Sequence, residues 1–267
     1  MIKVMMVGAA GKMGQRIINF LTEDGSTTLS AAIENPNSPL IGQDAGLIAG
    51  CGELGVKISS DILKGAEVSD VIIDFTGAEP TYHNLNFYMK AQKPILIGST
   101  GFTGQQVKEI DKLSEVAPFI LAANTSLGVN LTLKVLEMVS KTVGDLYDIE
   151  IIEAHHRMKK DAPSGTAMKM AETILNTLGR DMEKDLVYAR KGIIGERKDK
   201  EIGIQTIRAG DIVGEHTVMF CGNGERIEIT HKAHTRDTFA RGAVTAAKWL
   251  YGKPKGKYSM FDVLGLN

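Results

Sequence analysis

Seven residues near the N-terminus, Gly8-Ala9-Ala10-Gly11-Lys12-Met13-Gly14, constrain this chain more than any other stretch. Before them stands an apolar run, Ile2 to Val7, that reads as a buried strand. After them, from Lys12 to Leu21, Met13, Ile17, Ile18 and Leu21 recur at helical spacing. A doubly wound α/β fold needs glycines at such a junction: one for the tight turn, one for close approach to the backbone, one for helix–strand packing. The helix N-terminus then offers N–H groups and partial positive charge to a pyrophosphate. Ala9 stands where the usual Gly-x-Gly-x-x-Gly spacing begins, so its methyl is tolerated only if φ stays negative.

The rest of the first half keeps that rhythm. Strands are expected at Leu29–Ile33, Val68–Phe75, Pro94–Ile97 and Phe119–Ala122, with helices at about Tyr82–Ala91 and Gln105–Leu113. Alternating strands and helices imply parallel pairing. Glu34 closes the second strand about 20 residues past the glycines, where an acid bonds the adenosine ribose of a dinucleotide. Ligands in such sheets lie beyond the carboxyl ends of the strands. That selects Phe75 and Thr76, then Gly98, Ser99 and Thr100, then Ala122, Ala123, Asn124 and Thr125, besides Gly8 to Met13.

Near residue 127 the pattern changes. A helix at about Asn130–Lys141, a strand at Tyr147–Ala154 and a helix at about Ser164–Leu178 precede Ile202–Arg208, His216–Phe220 and Arg226–His231. These last three are closely linked and expected to pair antiparallel. The fold class is therefore α/β, a Rossmann-type doubly wound parallel sheet plus a second, α+β domain. The first domain takes 1–126 and 236–267, with the final helix, about Thr238–Leu250, packing back on it. The second takes 127–235.

Composition removes several functions. With 31 basic and 32 acidic side chains the net charge is −1, so nothing global invites nucleic acid or a membrane surface. No run of about 18 apolar residues exists, and the N-terminal apolar run is too short for a signal peptide, so a cytoplasmic protein is expected. Cys51 and Cys221 match no metal or redox spacing and read as reduced thiols.

Against that neutrality, His155-His156-Arg157-Met158-Lys159-Lys160 places five potential cations in six positions and runs on into Asp161-Ala-Pro-Ser164-Gly165-Thr166. Cations beside a helix N-terminus of small, hydroxyl-bearing residues suit a carboxylate or phosphate. Zinc is the other reading of adjacent histidines, but no third ligand stands at a suitable spacing, so no metal is expected.

Several blocks together resemble the 4-hydroxy-tetrahydrodipicolinate reductase (dihydrodipicolinate reductase) family. They are the glycine loop, Gly98-Ser-Thr-Gly-Phe102, Glu153-Ala-His-His-Arg157 and Lys159-x-Asp161-Ala-Pro-Ser-Gly-Thr166. Arg208-Ala-Gly-Asp-Ile-Val-Gly-Glu-His216, Glu228-Ile-Thr-His-Lys-Ala233 and Asp262-Val-Leu-Gly-Leu266 extend the likeness almost end to end. The resemblance implies reduction of a cyclic dicarboxylate by NADH or NADPH on the diaminopimelate route to lysine, in a homotetramer assembled through the second domain's sheets. It makes His155 a proton donor or acceptor and Lys159 a proton donor, with His156, Gly165 and Thr166 on substrate carboxylate. Several relatives carry an arginine after the strand-two glutamate. Here Asn35 and Pro36 follow Glu34, so NADH is expected to serve at least as well as NADPH. Closure about hinges near 124–130 and 233–238 is expected to gate the reaction. Two rivals stand beside this reading: another two-domain amino-acid-pathway dehydrogenase of the homoserine type, and a regulatory module that binds the nucleotide without turnover.

Overall fold

The computed structural model describes residues 1–266 and divides into two compact units, Met1–Leu127 with the C-terminal stretch from Asp237, and Gly128–Arg236. The first unit begins β1 (Ile2–Val7), α1 (Lys12–Glu23), β2 (Thr27–Ile33), α2 (Ala45–Ala49), β3 (Ile58–Ser59), α3 (Ile62–Glu67), β4 (Val71–Asp74) and α4 (Ala78–Ala91). It continues through β5 (Ile95–Ile97), α5 (Gly104–Ile110) and β6 (Pro118–Leu121). The second unit holds α6 (Leu127–Val143), β7 (Asp148–His155), α7 (Gly165–Leu178), α8 (Met182–Asp185), β8 (Leu186–Val187), β9 (Ile202–Arg208), β10 (Gly214–Cys221) and β11 (Arg226–Ala233). The chain then returns to the first unit as α9 (Asp237–Leu250), β12 (Gly256–Tyr258) and α10 (Met260–Leu264).

In the first unit seven strands pair parallel in the order β12-β6-β5-β4-β1-β2-β3. Both faces are covered, which is why β1 reads as a continuous apolar run. Val4 and Met6 point into one core with Ile17, Ile18 and the α9 residues Ala243 and Ala247. Met5 and Val7 point into the other with Ile72, Tyr88 and Phe119. The strand order reverses between β1 and β4, the switch point at which such sheets bind ligands. Small residues allow α9 to seat closely: a Cβ on Gly242 would lie 1.8 Å from the Thr125 carbonyl oxygen.

The second sheet runs β11-β10-β7-β9-β8. Here one expectation fails. Residues 202–208 do not pair with 216–220; β9 lies parallel to β7 and to β8, while β10 is antiparallel to β7 and β11. The cause is the connection. Between β7 and β9 come α7 and α8, and a helical crossover returns the chain in the same direction. The sheet is mixed, with β7 at its centre. A smaller correction concerns 68–75: Val68 caps α3 and is half exposed, so the strand starts only at Val71.

Candidate active site

The glycine loop does what its spacing demanded. Gly8 sits at φ +85°, and a Cβ there would meet the Phe75 carbonyl oxygen at 2.9 Å. Gly14 lies against the turn, where a Cβ would stand 2.1 Å from the Gly8 oxygen. Ala9 keeps a negative φ; the one non-glycine with positive φ among the described residues is Gln92. Gly11 is the N-cap of α1, and no side chain caps the helix. Its first N–H groups are therefore left for an anion or solvent.

Glu34 lies beside this loop. Its Oε1 accepts the Ala10 N–H at 2.8 Å and its Oε2 the Asn35 N–H at 3.1 Å. Lys12 is exposed, as is Ala123, whereas Ala122 and Thr125 are buried. The Thr125 hydroxyl donates to the Phe239 carbonyl at 2.7 Å, and Asn124 Oδ1 accepts the Ser126 N–H at 2.9 Å, which orders the loop after β6.

Between these lies a buried network that periodicity gives no hint of. Asp74, at the end of β4 and fully inaccessible, accepts from the Tyr88 hydroxyl at 2.6 Å, and from the Thr76 N–H and hydroxyl at 2.9 and 2.7 Å. Thr81 donates to Ser99 at 2.9 Å, and the Gly77 N–H reaches the same Ser99 oxygen. Burial pushes the Asp74 carboxyl above its usual range, against these hydrogen bonds, and pushes the Tyr88 phenol well up. The hydroxyls of Thr76 and Ser99 are thus spent on shaping the loops after β4 and β5. Gly98 is fixed by a neighbour: a Cβ would fall 2.1 Å from the Phe75 ring.

In the second unit, alternation along β7 turns Ile149, Ile151, Glu153 and His155 to one buried face. Glu153 is wholly inaccessible. Its carboxylate accepts from His155 Nδ1 at 2.6 Å, from both terminal nitrogens of Arg208 at 2.9 and 2.8 Å, from the Ser164 N–H at 3.0 Å and from the Thr206 hydroxyl at 3.2 Å. A carboxylate only accepts, so Nδ1 carries the imidazole proton and Nε2 is bare. Burial lowers the His155 pKa, and Glu153 opposes that shift. Burial raises the Glu153 carboxyl, but bonds from Arg208 and His155 outweigh it and hold it below the usual range.

The other cations are sorted by depth. His156 and Lys159 are half-buried, while Arg157 and Lys160 are exposed. Lys159 Nζ lies 2.8 Å from Asp161 Oδ2. Ser164 caps α7, accepting the Ala167 N–H at 3.2 Å, and its oxygen is 2.9 Å from His216 Nε2. Burial, then the neighbouring His155, take His216 down to about 4; the two rings meet edge to face at 5.2 Å. At the head of α7 the space around Gly165 is open, with no atom within 4 Å of where a Cβ would stand, and Thr166 is half-buried beside it. Among the described residues no three His, Cys, Asp or Glu side chains are grouped to hold a metal, and both cysteines are unpaired. No helix among them is long and apolar enough to cross a membrane.

Comparison with known proteins accounts for this pairing of a glycine loop with a basic cluster. Residues 2–125 match the family model described as "Dihydrodipicolinate reductase, N-terminus", and residues 128–264 match "Dihydrodipicolinate reductase, C-terminus". The chain belongs to the dihydrodipicolinate reductase family. Within it, the chain is 56% identical over 266 residues to the 4-hydroxy-tetrahydrodipicolinate reductase of Geotalea daltonii, and 54% identical to that of Geobacter sulfurreducens. All of each protein is covered in both alignments. A solved structure described as dipicolinate-bound dihydrodipicolinate reductase from Paenisporosarcina sp. TG-14 superposes with a TM-score of 0.78 at 24% identity, covering 98% of each chain; it speaks for the fold. A dihydrodipicolinate reductase is an oxidoreductase, and its N-terminal unit is a nicotinamide-cofactor domain.

Sequence reasoning gave no role to Glu153, Ser164, Arg208 or His216, nor to Asp74, Thr81 and Tyr88. One signal was available for Glu153: a carboxylate in phase with Ile149 and Ile151 must be buried, and a buried carboxylate needs partners.

Proposed function

We propose that this chain reduces 4-hydroxy-tetrahydrodipicolinate, through the dihydrodipicolinate-type imine formed by loss of water, to tetrahydrodipicolinate with NADH or NADPH on the diaminopimelate route to lysine. One observation carries this beyond the family match. The only buried carboxylate–imidazole pair of the second unit's described residues lies beside Lys159 and the capped N-terminus of α7.

The chemistry follows from what these groups can do. A substrate carboxylate is held at the head of α7 by the Gly165 and Thr166 backbone and the Thr166 hydroxyl, with His156 beside it. A bound nicotinamide would supply hydride to the substrate's unsaturated imine, and the electron density so created would need one proton. Lys159 supplies that proton, and His155 exchanges protons at Nε2 while Nδ1 stays bonded to Glu153. Positioned proton transfer of this kind contributes about 10²–10⁴ in rate.

The residues of the first unit fit a dinucleotide. Gly8 to Met13, at the uncapped start of α1, would hold the pyrophosphate, and Phe75, Thr76, Gly98, Ser99, Thr100 and Ala122 to Thr125, at the strand ends, would hold the rest of the dinucleotide. Glu34, already aimed by the Ala10 N–H, takes the ribose hydroxyls and repels a 2′-phosphate, while exposed Lys12 offsets that repulsion. NADH therefore serves at least as well as NADPH. The resemblance also implies a homotetramer, which light scattering on the purified protein would read.

The test is a coupled assay in which freshly made dihydrodipicolinate synthase product is added and NADH absorbance followed. Stoichiometric oxidation supports the reading. Nucleotide binding without oxidation would favour a regulatory module instead, and turnover only with an amino-aldehyde would favour a homoserine-type dehydrogenase.

A further inference from the structure

We propose that Glu153 is the positioning residue of this reaction: its buried carboxylate fixes the His155 imidazole with Nδ1 protonated and Nε2 bare, and ties that ring to the head of α7. The inference rests on the reading above for its rate effects, but its structural half stands without it.

Three observations converge. First, strand geometry places Glu153 and His155 two residues apart on one face of β7, so the acid lies behind the ring at 2.6 Å. Second, that acid cannot move. Five donors from four residues on three elements of the chain converge on its two oxygens, and Arg208, which grips both, also donates to the Asp161 carbonyl at 2.7 Å in the loop that carries Lys159. Third, the Ser164 N–H that Glu153 accepts belongs to the N-cap of α7. One carboxylate therefore sets both the ring and the helix end against which a substrate carboxylate would rest. A carboxylate so placed behind an imidazole selects its tautomer and stabilises the charged ring without itself taking the proton.

The ring is faced by Glu153 from β7, Arg208 from β9, His216 from β10 and Lys159 from the loop after β7, with Asp161 paired to Lys159; His231 of β11 pairs with His216 across the strands. Of these, Glu153 is the anion in contact with it. Glu153→Gln leaves an amide whose oxygen can still take Arg208, while its NH2 would face Nδ1 and force the proton onto Nε2.

The experiment is ¹⁵N NMR of the imidazoles in the intact protein, with the His155 signals assigned by their loss in His155→Gln, alongside steady-state kinetics. In the wild type Nδ1 should be the protonated nitrogen at neutral pH; protonation at Nε2 overturns the proposal, even if Glu153→Gln fails to fold. In Glu153→Gln the tautomer should invert and the imidazole should titrate at lower pH, since an anion that favoured its charge is gone. Turnover should fall about a hundredfold with KM little changed, and the corresponding limb of the pH profile should move to lower pH. Unchanged tautomer and kcat in a folded Glu153→Gln protein overturn it as well. A wild type that shows the expected tautomer but does not oxidise NADH in the coupled assay would refute the assigned reaction and leave the structural assignment standing.

Discussion

In the first unit the candidate site is lined by backbone: glycines 8, 11 and 14, the uncapped start of α1, and loop N–H groups between small side chains. In the second unit it is built from ionisable side chains, held by a carboxylate that no solvent reaches. The first depends on the absence of atoms, the second on charge balance. A cofactor common to many enzymes needs a shape, which backbone supplies. A proton transfer needs particular groups in particular states, and those must be propped by other side chains. The two sites should therefore fail in different ways when mutated.

The largest effect belongs to the second site. Lys159→Ala should lower kcat at least about a hundredfold, the lower end of what a positioned acid contributes, while NADH affinity measured by fluorescence barely moves. Near-normal turnover would remove Lys159 from the chemistry.

Acid should next separate the units. His216 is held at about 4, against an ordinary imidazole value of 6.5, by burial and then by His155. As pH falls the unfolded chain takes this proton first. The stability linked to His216 is thus intact above about 6.5 and declines until about pH 4, a loss on the order of 3 kcal/mol. Melting temperatures at about pH 7 and about pH 5 should fall further apart in the wild type than in His216→Gln. An equal drop in both proteins would contradict this sign.

Backbone crowding gives the third contrast. In Gly14→Ala the new methyl meets the Gly8 and Ala9 carbonyl oxygens, expected at 2.1 and 2.9 Å without relaxation. Destabilisation of about 1–3 kcal/mol and weaker NADH binding should follow, read by melting and titration. Gly165→Ala meets open space and should leave stability within about 0.5 kcal/mol.

The smallest effect is cofactor choice. The kcat/KM for NADH should equal or exceed that for NADPH, and Glu34→Ala should move the ratio toward NADPH by about tenfold or less, about 1.4 kcal/mol. A tenfold preference for NADPH in the wild type would mean that Lys12 outweighs Glu34.

How far each site could be read in the sequence follows the same division. The glycine loop is contiguous and its roles are local, so spacing alone assigns Gly8 and Gly14. The strands of the first unit are apolar runs, and their parallel order follows from the helices between them. Residues 45–67 resisted because Ala45–Ala49 and Ile58–Ser59 are shorter than the periods that reveal helices and strands. In the second unit the basic run was conspicuous, but its supports lie far off in sequence. Arg208 reaches Glu153 across 55 residues, and His216 reaches Ser164 across 52. Nothing in a one-dimensional pattern announces such partners, except a charged residue in phase with buried isoleucines. The direction of β9 escaped for a related reason: pairing across a crossover depends on what covers the sheet, not on the length of the nearest link.

The return of the chain at Asp237 bears on how the molecule is made. The first unit's core contains Ala240, Ala243, Val244, Ala247 and Leu250 of α9, and β12 supplies the edge beside β6. During synthesis every residue of the second unit is polymerised before any of these exists. For that interval the glycine loop belongs to an unfinished sheet, with one flank of its core bare and Gly242 not yet against Thr125. The sheet that carries the glycine loop thus waits for a helix and an edge strand made after the whole of the second unit, so the two units cannot be completed strictly in the order of the sequence.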